Sequence, residues 1–444
     1  MKKIITTSML SLALASTLYA TPTKDEKKAI LTNYANMAYA NYTDALSDAK
    51  KLQLALETFG KNPTEENFAN AKAAWLTSRE SYGTTEAFRL SNGPIDAEDG
   101  WIAKSYGALE GQINAWPLDE NMIDYTIDAD GKRTKGNIID TVGKFKPGGE
   151  KPITVDVRTI TPNAISDLNE NGGEANVATG YHAIEFLLWG QDQDYSNFIE
   201  DKISNGALIA GQRPLSDFTT DKFANRRIAY LNAAATKLVE DLSIVAKAWD
   251  KNVSKNCSKD ATGCYKGAIL GELKGKDSKK NIPINTSLKQ ILSGIGVFIK
   301  SELANERIAV AVLTPSEEDE HSCFSDNTHR DIATNYQGFK NILTGSYKEI
   351  QGASLLDHLD EKTKKEIATL MGSIESKIAT IDETAKTTAH FDYQIKPENT
   401  QSSEIKKLKN EMRKLGDTII LVAKANGIKL SVNDVTDSEE TKVK

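Results

Sequence analysis

Apolar residues in this chain recur at intervals of three and four over long runs and almost never alternate, which confines the fold to packed helices. Asn225 to Trp249 is the clearest case, with Ile228, Leu231, Ala235, Leu238, Leu242 and Val245 on one side of a helix. The same spacing predicts helices near 25–59, 64–91, 102–115, 174–190, 220–252, 284–313, 328–344, 355–383 and 402–426. The second has a capping sequence, Asn62-Pro63-Thr64-Glu65-Glu66. Residues 153–160 (Ile-Thr-Val-Asp-Val-Arg-Thr-Ile) are the one strand-like run. Helices this long with short joins favour bundles, so the expected class is all-α.

The N-terminus reads as a secretory signal. Met1-Lys2-Lys3 is basic, Ile4 to Leu18 is short and mostly apolar, and Ala20 is a small residue at a cleavage point. The run is too short to span a bilayer, and no later stretch is apolar for long enough to do so. The expected mature chain is therefore exported and soluble, and periplasmic in a cell with two membranes. Loss of residues 1–20 removes Lys2 and Lys3 and no acids, moving the formal charge from −7 to −9. That balance argues against nucleic acid as a partner and suits a cation. The mature length suggests two helical units, 21–200 and 215–430, joined through the polar residues 192–219, with a polar tail at 431–444. Residues 121–173 and 253–283 are rich in Gly and polar residues and should be irregular. Export permits a disulfide, and Cys257 and Cys264 bracket a short polar loop, so these two are paired. Cys323 is left buried and reduced.

The chemistry concentrates on one apolar segment. From Ala175 to Trp189 the only ionisable side chains expected to carry chemistry are His182 and Glu185. Asn176, Thr179, His182 and Glu185 follow one another at intervals of three, which makes one polar stripe on a helix. A carboxylate in such surroundings is costly unless it is paired, protonated or bound to a cation. The pair has two readings: a core histidine satisfied by Glu185 or Thr179, or a nitrogen and an oxygen offered to one metal ion. His358-Leu359-Asp360-Glu361 repeats the pattern among charged neighbours and serves as a control, a solvated helical face.

Two more segments stand out. Glu317 to Arg330 gathers His321 and His329 with five carboxylates, among them Glu318 and Asp326; Asp326 or Asn327 can cap the helix that follows. Trp75 to Asp96 places Arg79, Glu86 and Arg89 with Trp75 and Tyr82, where ion pairs at helical spacing account for Arg79 and Glu86.

These segments together resemble the imelysin-like family. Gly180-Tyr181-His182-Ala183-Ile184-Glu185 matches its G-x-H-x-x-E signature, and Glu318 to His329 is similar to its second long signature. Ile113-Asn114-Ala115-Trp116-Pro117-Leu118-Asp119-Glu120 and Thr85-Glu86-Ala87-Phe88-Arg89 also fit. The resemblance implies two four-helix bundles packed around a central cleft that the signature helix faces. It further implies an exported, iron-regulated protein linked to iron uptake, with membrane-bound uptake components as partners. The family name comes from an insulin-cleaving metallopeptidase.

Two functions follow as expectations. One is a binding protein for iron, or an iron-bearing ligand, with His182 and Glu185 as ligands and further oxygens from Glu86, Glu110 or the Glu317–Asp326 cluster. The other is a periplasmic metallopeptidase, with zinc as its metal. A hydrolytic zinc site takes three protein ligands and an open position, and no third ligand is identifiable by spacing, so binding is favoured.

Overall fold

In this computed structural model, the structure describes residues 21–128, 130–192, 207–313 and 319–437. The expected signal, Glu317, Glu318 and the end of the polar tail lie outside the described residues. The fold is all-α, with eight principal helices among the described residues: α1 Lys24–Lys61, α2 Glu65–Gly83, α3 Gly180–Trp189, α4 Ala224–Ala248, α5 from Ile284–Val297 onward, α6 Thr328–Thr344, α7 Glu361–Thr387 and α8 Thr400–Ala425. β-Structure is confined to two small antiparallel hairpins, Lys144–Phe145 with Val155–Asp156 and Ser346–Tyr347 with Ile350–Gln351. The strand-like run 153–160 thus contributes only two residues.

α1 shows why such a chain forms bundles. Thr23 and Glu26 make a reciprocal capping box at its start. Its buried Leu31, Ala35, Ala38, Tyr42, Ala45, Ala49, Leu52, Leu56 and Phe59 alternate steps of four and three along one seam. That seam packs against α2 and α4, and α3 closes the ring by touching both of those helices. α5, α6, α7 and α8 form a second ring in the same way. The rings meet where α1 touches α5 and α2 touches α6, and one continuous apolar core runs through both. A boundary at 192–219 would cut α4 off from its ring. We propose instead that the two units divide between α4 and α5.

Three helices differ from expectation. The run 64–91 stops at Gly83, where a Cβ would lie 2.0 Å from the Thr334 hydroxyl of α6. The run 102–115 splits into Gly100–Tyr106 and Glu110–Ile113, because Gly107 (φ +92°) turns the chain into the left-handed region. The run 174–190 begins only at Gly180, so Asn176 and Thr179 precede the helix. Asn176 donates instead to the carbonyls of Gly148 and Asn171, and Thr179 to that of Gln112.

α5 is continuous to Leu313 but widens into a π-helical stretch over Phe298–Ala309. Side chains five apart on an α-helix point ~140° from each other, whereas a π-turn brings them to one face. This lets Arg307 reach Glu302, with Nη2 3.0 Å from Oε1.

Cys257 and Cys264 are disulfide-bonded, and Cys323 is free and buried. The bridge sits in a small cluster with Ala268 and Leu273, apart from the main core. Replacing both cysteines by serine should therefore cost about 2 kcal/mol in chemical denaturation, the entropy of one short loop. The circular dichroism of the folded protein should be unchanged. A collapse of the whole fold would show that the bridge does more than pin its loop.

Candidate functional site

His182 and Glu185 are buried, at 1% and 0% exposure, where the two rings meet. At this level the rings are joined by the buried side chains of Arg79, Asp331, His182 and His321. Gly180 positions the pair: its φ is +79°, and a Cβ there would lie 2.3 Å from the Ile113 carbonyl oxygen. Only glycine lets the start of α3 approach the 110–117 segment this closely. That segment then supplies Asn114 to the site and sets the Trp116 ring edge-on to His321, with centroids 5.8 Å apart.

The buried groups form a chain of hydrogen bonds. Ser325 donates its amide (3.0 Å) and hydroxyl (2.6 Å) to Glu185 Oε1. Glu185 Oε2 lies 2.9 Å from His182 Nδ1, and His182 Nε2 lies 3.2 Å from His321 Nε2. His321 Nδ1 is 2.8 Å from Asp331 Oδ2, and Arg79 holds Asp331 Oδ1 from Nη2 at 2.8 Å. Ser322 also donates to Asp331.

Donor and acceptor rules fix the protons in this chain. Burial alone would raise the Asp331 carboxyl, but Arg79, with His321 and Ser322, holds it well below the usual carboxylate range. Asp331 therefore only accepts, and His321 Nδ1 carries a proton. Burial lowers the His321 imidazole to about 4, with Arg307 adding to the effect, so the ring is neutral and its Nε2 accepts. His182 Nε2 must then donate. Burial, then His321 and Arg79, push His182 well below its ordinary value, so it is neutral too and its Nδ1 accepts. Only a protonated Glu185 can donate to it. Burial pushes Glu185 up to about 8 against the opposing hydrogen bonds from Ser325, in agreement with this assignment.

Glu86 and Glu110 do not join His182. Glu86 is fully buried and bonded to Arg307 (2.5 Å), Asn335 (3.1 Å) and Asn114 (3.4 Å). Glu110 pairs with Arg89 at 3.2 Å. Arg79 lies 3.8 Å from Glu86 but 2.8 Å from Asp331, so its principal partner is on α6 rather than in the turn that follows its own helix. Nor can Glu185 share an ion with the far nitrogen of His182, because it bonds Nδ1; it backs the ring instead. His329 lies apart, with Nδ1 3.0 Å from the Asp326 carbonyl oxygen and Nε2 3.7 Å from Asp382. Asp326 pairs with His390. In the control pattern, His358 is half-buried, and Glu361 is exposed and pairs with Lys364 at 3.1 Å.

Sequence reasoning did not single out Asp331, Ser325, Asn114 or Arg307. Arg307 carried no signal like that of His182, because Lys300, Glu302 and Glu306 lie close to it in the sequence. Asn114 and Ser325 carried none beyond their place in the recognised segments.

Two helix rings closed over a buried imidazole–carboxyl chain define an all-α protein whose polar centre lies between its halves. The imelysin family model (peptidase M75) matches residues 38–419, and the chain belongs to the imelysin family. It is 21% identical over 344 residues to the iron-regulated protein A of Synechococcus elongatus, covering 76% of this chain and 71% of that protein. Its fold is similar to that of a Parabacteroides distasonis protein assigned as an iron-regulated protein A precursor, with a TM-score of 0.61 at 16% identity over 91% of this chain and 96% of that one. An imelysin-like protein from Psychrobacter arcticum gives 0.55 at 13% identity over 93% and 99%.

The proton assignment has a measurable consequence for stability. The Glu185 value rises from 4.5 to about 8 on folding. Between those values the unfolded chain has lost this proton and the folded chain keeps it. Its contribution is thus intact below pH 4.5 and falls by about 1.4 kcal/mol per pH unit until it is lost near pH 8. A glutamine amide can donate to His182 Nδ1 and accept from Ser325 as the neutral acid does. Glu185→Gln should therefore melt with the wild type near pH 4.5 and progressively above it toward pH 8, in metal-free protein. A difference independent of pH would show that Glu185 is ionised in the fold.

Proposed function

We propose that this chain is an exported metal-binding protein of iron uptake that holds iron, or an iron-bearing ligand, between His182 and His321. The observation that carries this reading is the opposed pair of Nε2 atoms, 3.2 Å apart, each on a ring whose Nδ1 is backed by a carboxyl group. Metal-binding histidines are typically oriented in this way by a carboxylate or carbonyl on the other nitrogen. Imidazole donors suit iron as well as zinc. The likeness to iron-regulated protein A supports iron as the metal. Export is supported by the Cys257–Cys264 bridge and the signal-like start. Among the described residues no helix is long and apolar enough to cross a membrane, so membrane-bound uptake components would be separate partners. Hydrolysis would need a metal position open to water. The buried His182 and Glu185 favour binding over the peptidase alternative.

Binding exchanges a proton for the ion. The His182 Nε2 must give up its hydrogen, so the ring proton moves to Nδ1 and Glu185 must lose its own to accept it. His321 keeps its Nδ1 proton on Asp331 throughout. Metal uptake near pH 7 should then release about one proton per ion.

Fe²⁺ titration under anaerobic conditions, in buffers of differing ionisation enthalpy, tests this. His182→Ala and His321→Ala should each lose one equivalent of bound iron per chain while keeping the helical circular dichroism. Iron binding unchanged by both substitutions would overturn the proposal. Binding without proton release would remove Glu185 from it.

A further inference from the structure

The loop that carries His321 has a second polar face. Asp326, His390 and Asp392 each offer one donor atom, and these three atoms lie within 4.8 Å of one another. Asp326 comes from the loop before α6, whereas His390 and Asp392 open the short helix Phe391–Ile395 that follows α7. The two carboxylates are buried, and His390 Nδ1 lies against Asp326 Oδ2. Glu320 is fully buried, with the Thr328 hydroxyl beside its carboxyl, and Asp392 Oδ1 has no hydrogen-bond partner.

The surroundings make these two carboxyls costly. After burial itself, Asp392 and Asp326 raise Glu320 well above its ordinary value, with Asp192 adding to them against the hydrogen bond from Thr328. Asp392 is raised likewise by burial, Asp326 and Asp192, opposed by the Tyr393 backbone amide and His390. Buried polar groups are nearly always satisfied, and a buried carboxylate without a partner is the rarest exception. Two ligands on one divalent ion at ~2.0–2.4 Å stand at most about 4–4.8 Å apart, so Asp326, His390 and Asp392 already span such an ion.

We propose that Asp326, His390 and Asp392 bind one divalent ion of the first transition row, with the Glu320 carboxyl nearby, at a site separate from His182 and His321. The imidazole among carboxylates selects Mn²⁺, Fe²⁺ or Zn²⁺ over Ca²⁺ and Mg²⁺, which prefer oxygen donors alone. The site also has a structural role. Asp326 adjoins Ser325, which holds Glu185, so the ion fixes this end of the loop beside the histidine pair.

Mn²⁺ is the probe: chelator-treated full-length protein is titrated with Mn²⁺, and free ion is read by electron paramagnetic resonance. Asp392→Asn should remove one equivalent of bound Mn²⁺ per chain, or weaken it at least ~10-fold, whether or not His182→Ala is also present. That independence separates this site from the histidine pair. Asp392→Asn should also raise the melting temperature of metal-free protein, because a repelling carboxyl is gone, and abolish the further rise that Mn²⁺ gives the wild type. Glu320→Gln should act in the same directions and serves if the first variant does not fold. Absence of saturable Mn²⁺ binding in the wild type, or unchanged binding in both variants, would overturn the site. Ca²⁺ binding as tightly as Mn²⁺ would overturn the choice of ion.

Discussion

The Arg79–Asp331 ion pair is the contact on which the rest of the site depends. Arg79 belongs to the first ring and Asp331 to the second, and both are shut away from water. A buried pair of this kind contributes little net stability over a well-packed apolar one, but losing either partner is expensive. Its value here is order. Asp331, kept ionised by Arg79, fixes the tautomer of His321; His321 fixes that of His182; and His182 fixes the proton on Glu185. Four groups on three segments therefore share one protonation pattern, set at one end by a guanidinium.

The same junction solves a larger electrostatic problem. Arg79, Arg89 and Arg307 are met by Asp331, Glu86 and Glu302, whose carboxyl is lowered to about 2 because Arg89 and Arg307 outweigh its burial. Glu110, raised by burial against the pull of Arg89, lies at the edge of this group. Glu185 and the two imidazoles are neutral. Each guanidinium is met by at least one carboxylate, which is the condition under which so much polar material can sit between two apolar rings. The π-helical widening of α5 is part of the solution, since it turns Glu302 and Arg307 to one face.

The sequence made the helices legible because their burial pattern is local. The runs 284–313 and 328–344 correspond to α5 and α6 nearly to the residue. At Gly83, the last residue of α2, the constraint comes from a distance, because Thr334, far along the chain, leaves no room for a Cβ. The site was legible to the same depth. An ionisable pair in an apolar run pointed to His182 and Glu185, and the long recognised segments pointed to His321. Spacing could not show that Glu185 sits behind His182 rather than beside it, or that Glu86 answers to Arg307. Those facts depend on which segments meet, and the pattern of one helix does not contain that information.

The loop from Glu320 to Asp326 is where stability and binding bear on each other. It is held by Ser322 on Asp331 and by Ser325 on Glu185, so its anchors are members of the very chain it covers. Hydrogen bonds to an ionised carboxylate are roughly twice as strong as those to a neutral acid. With Glu185 protonated, Ser325 therefore holds the loop by the weaker kind of bond. Once Glu185 gives up its proton, the same two donors face a carboxylate and the loop is held more firmly. The loop is thus held more weakly while Glu185 keeps its proton, and more firmly in the state that an ion between the histidines would demand.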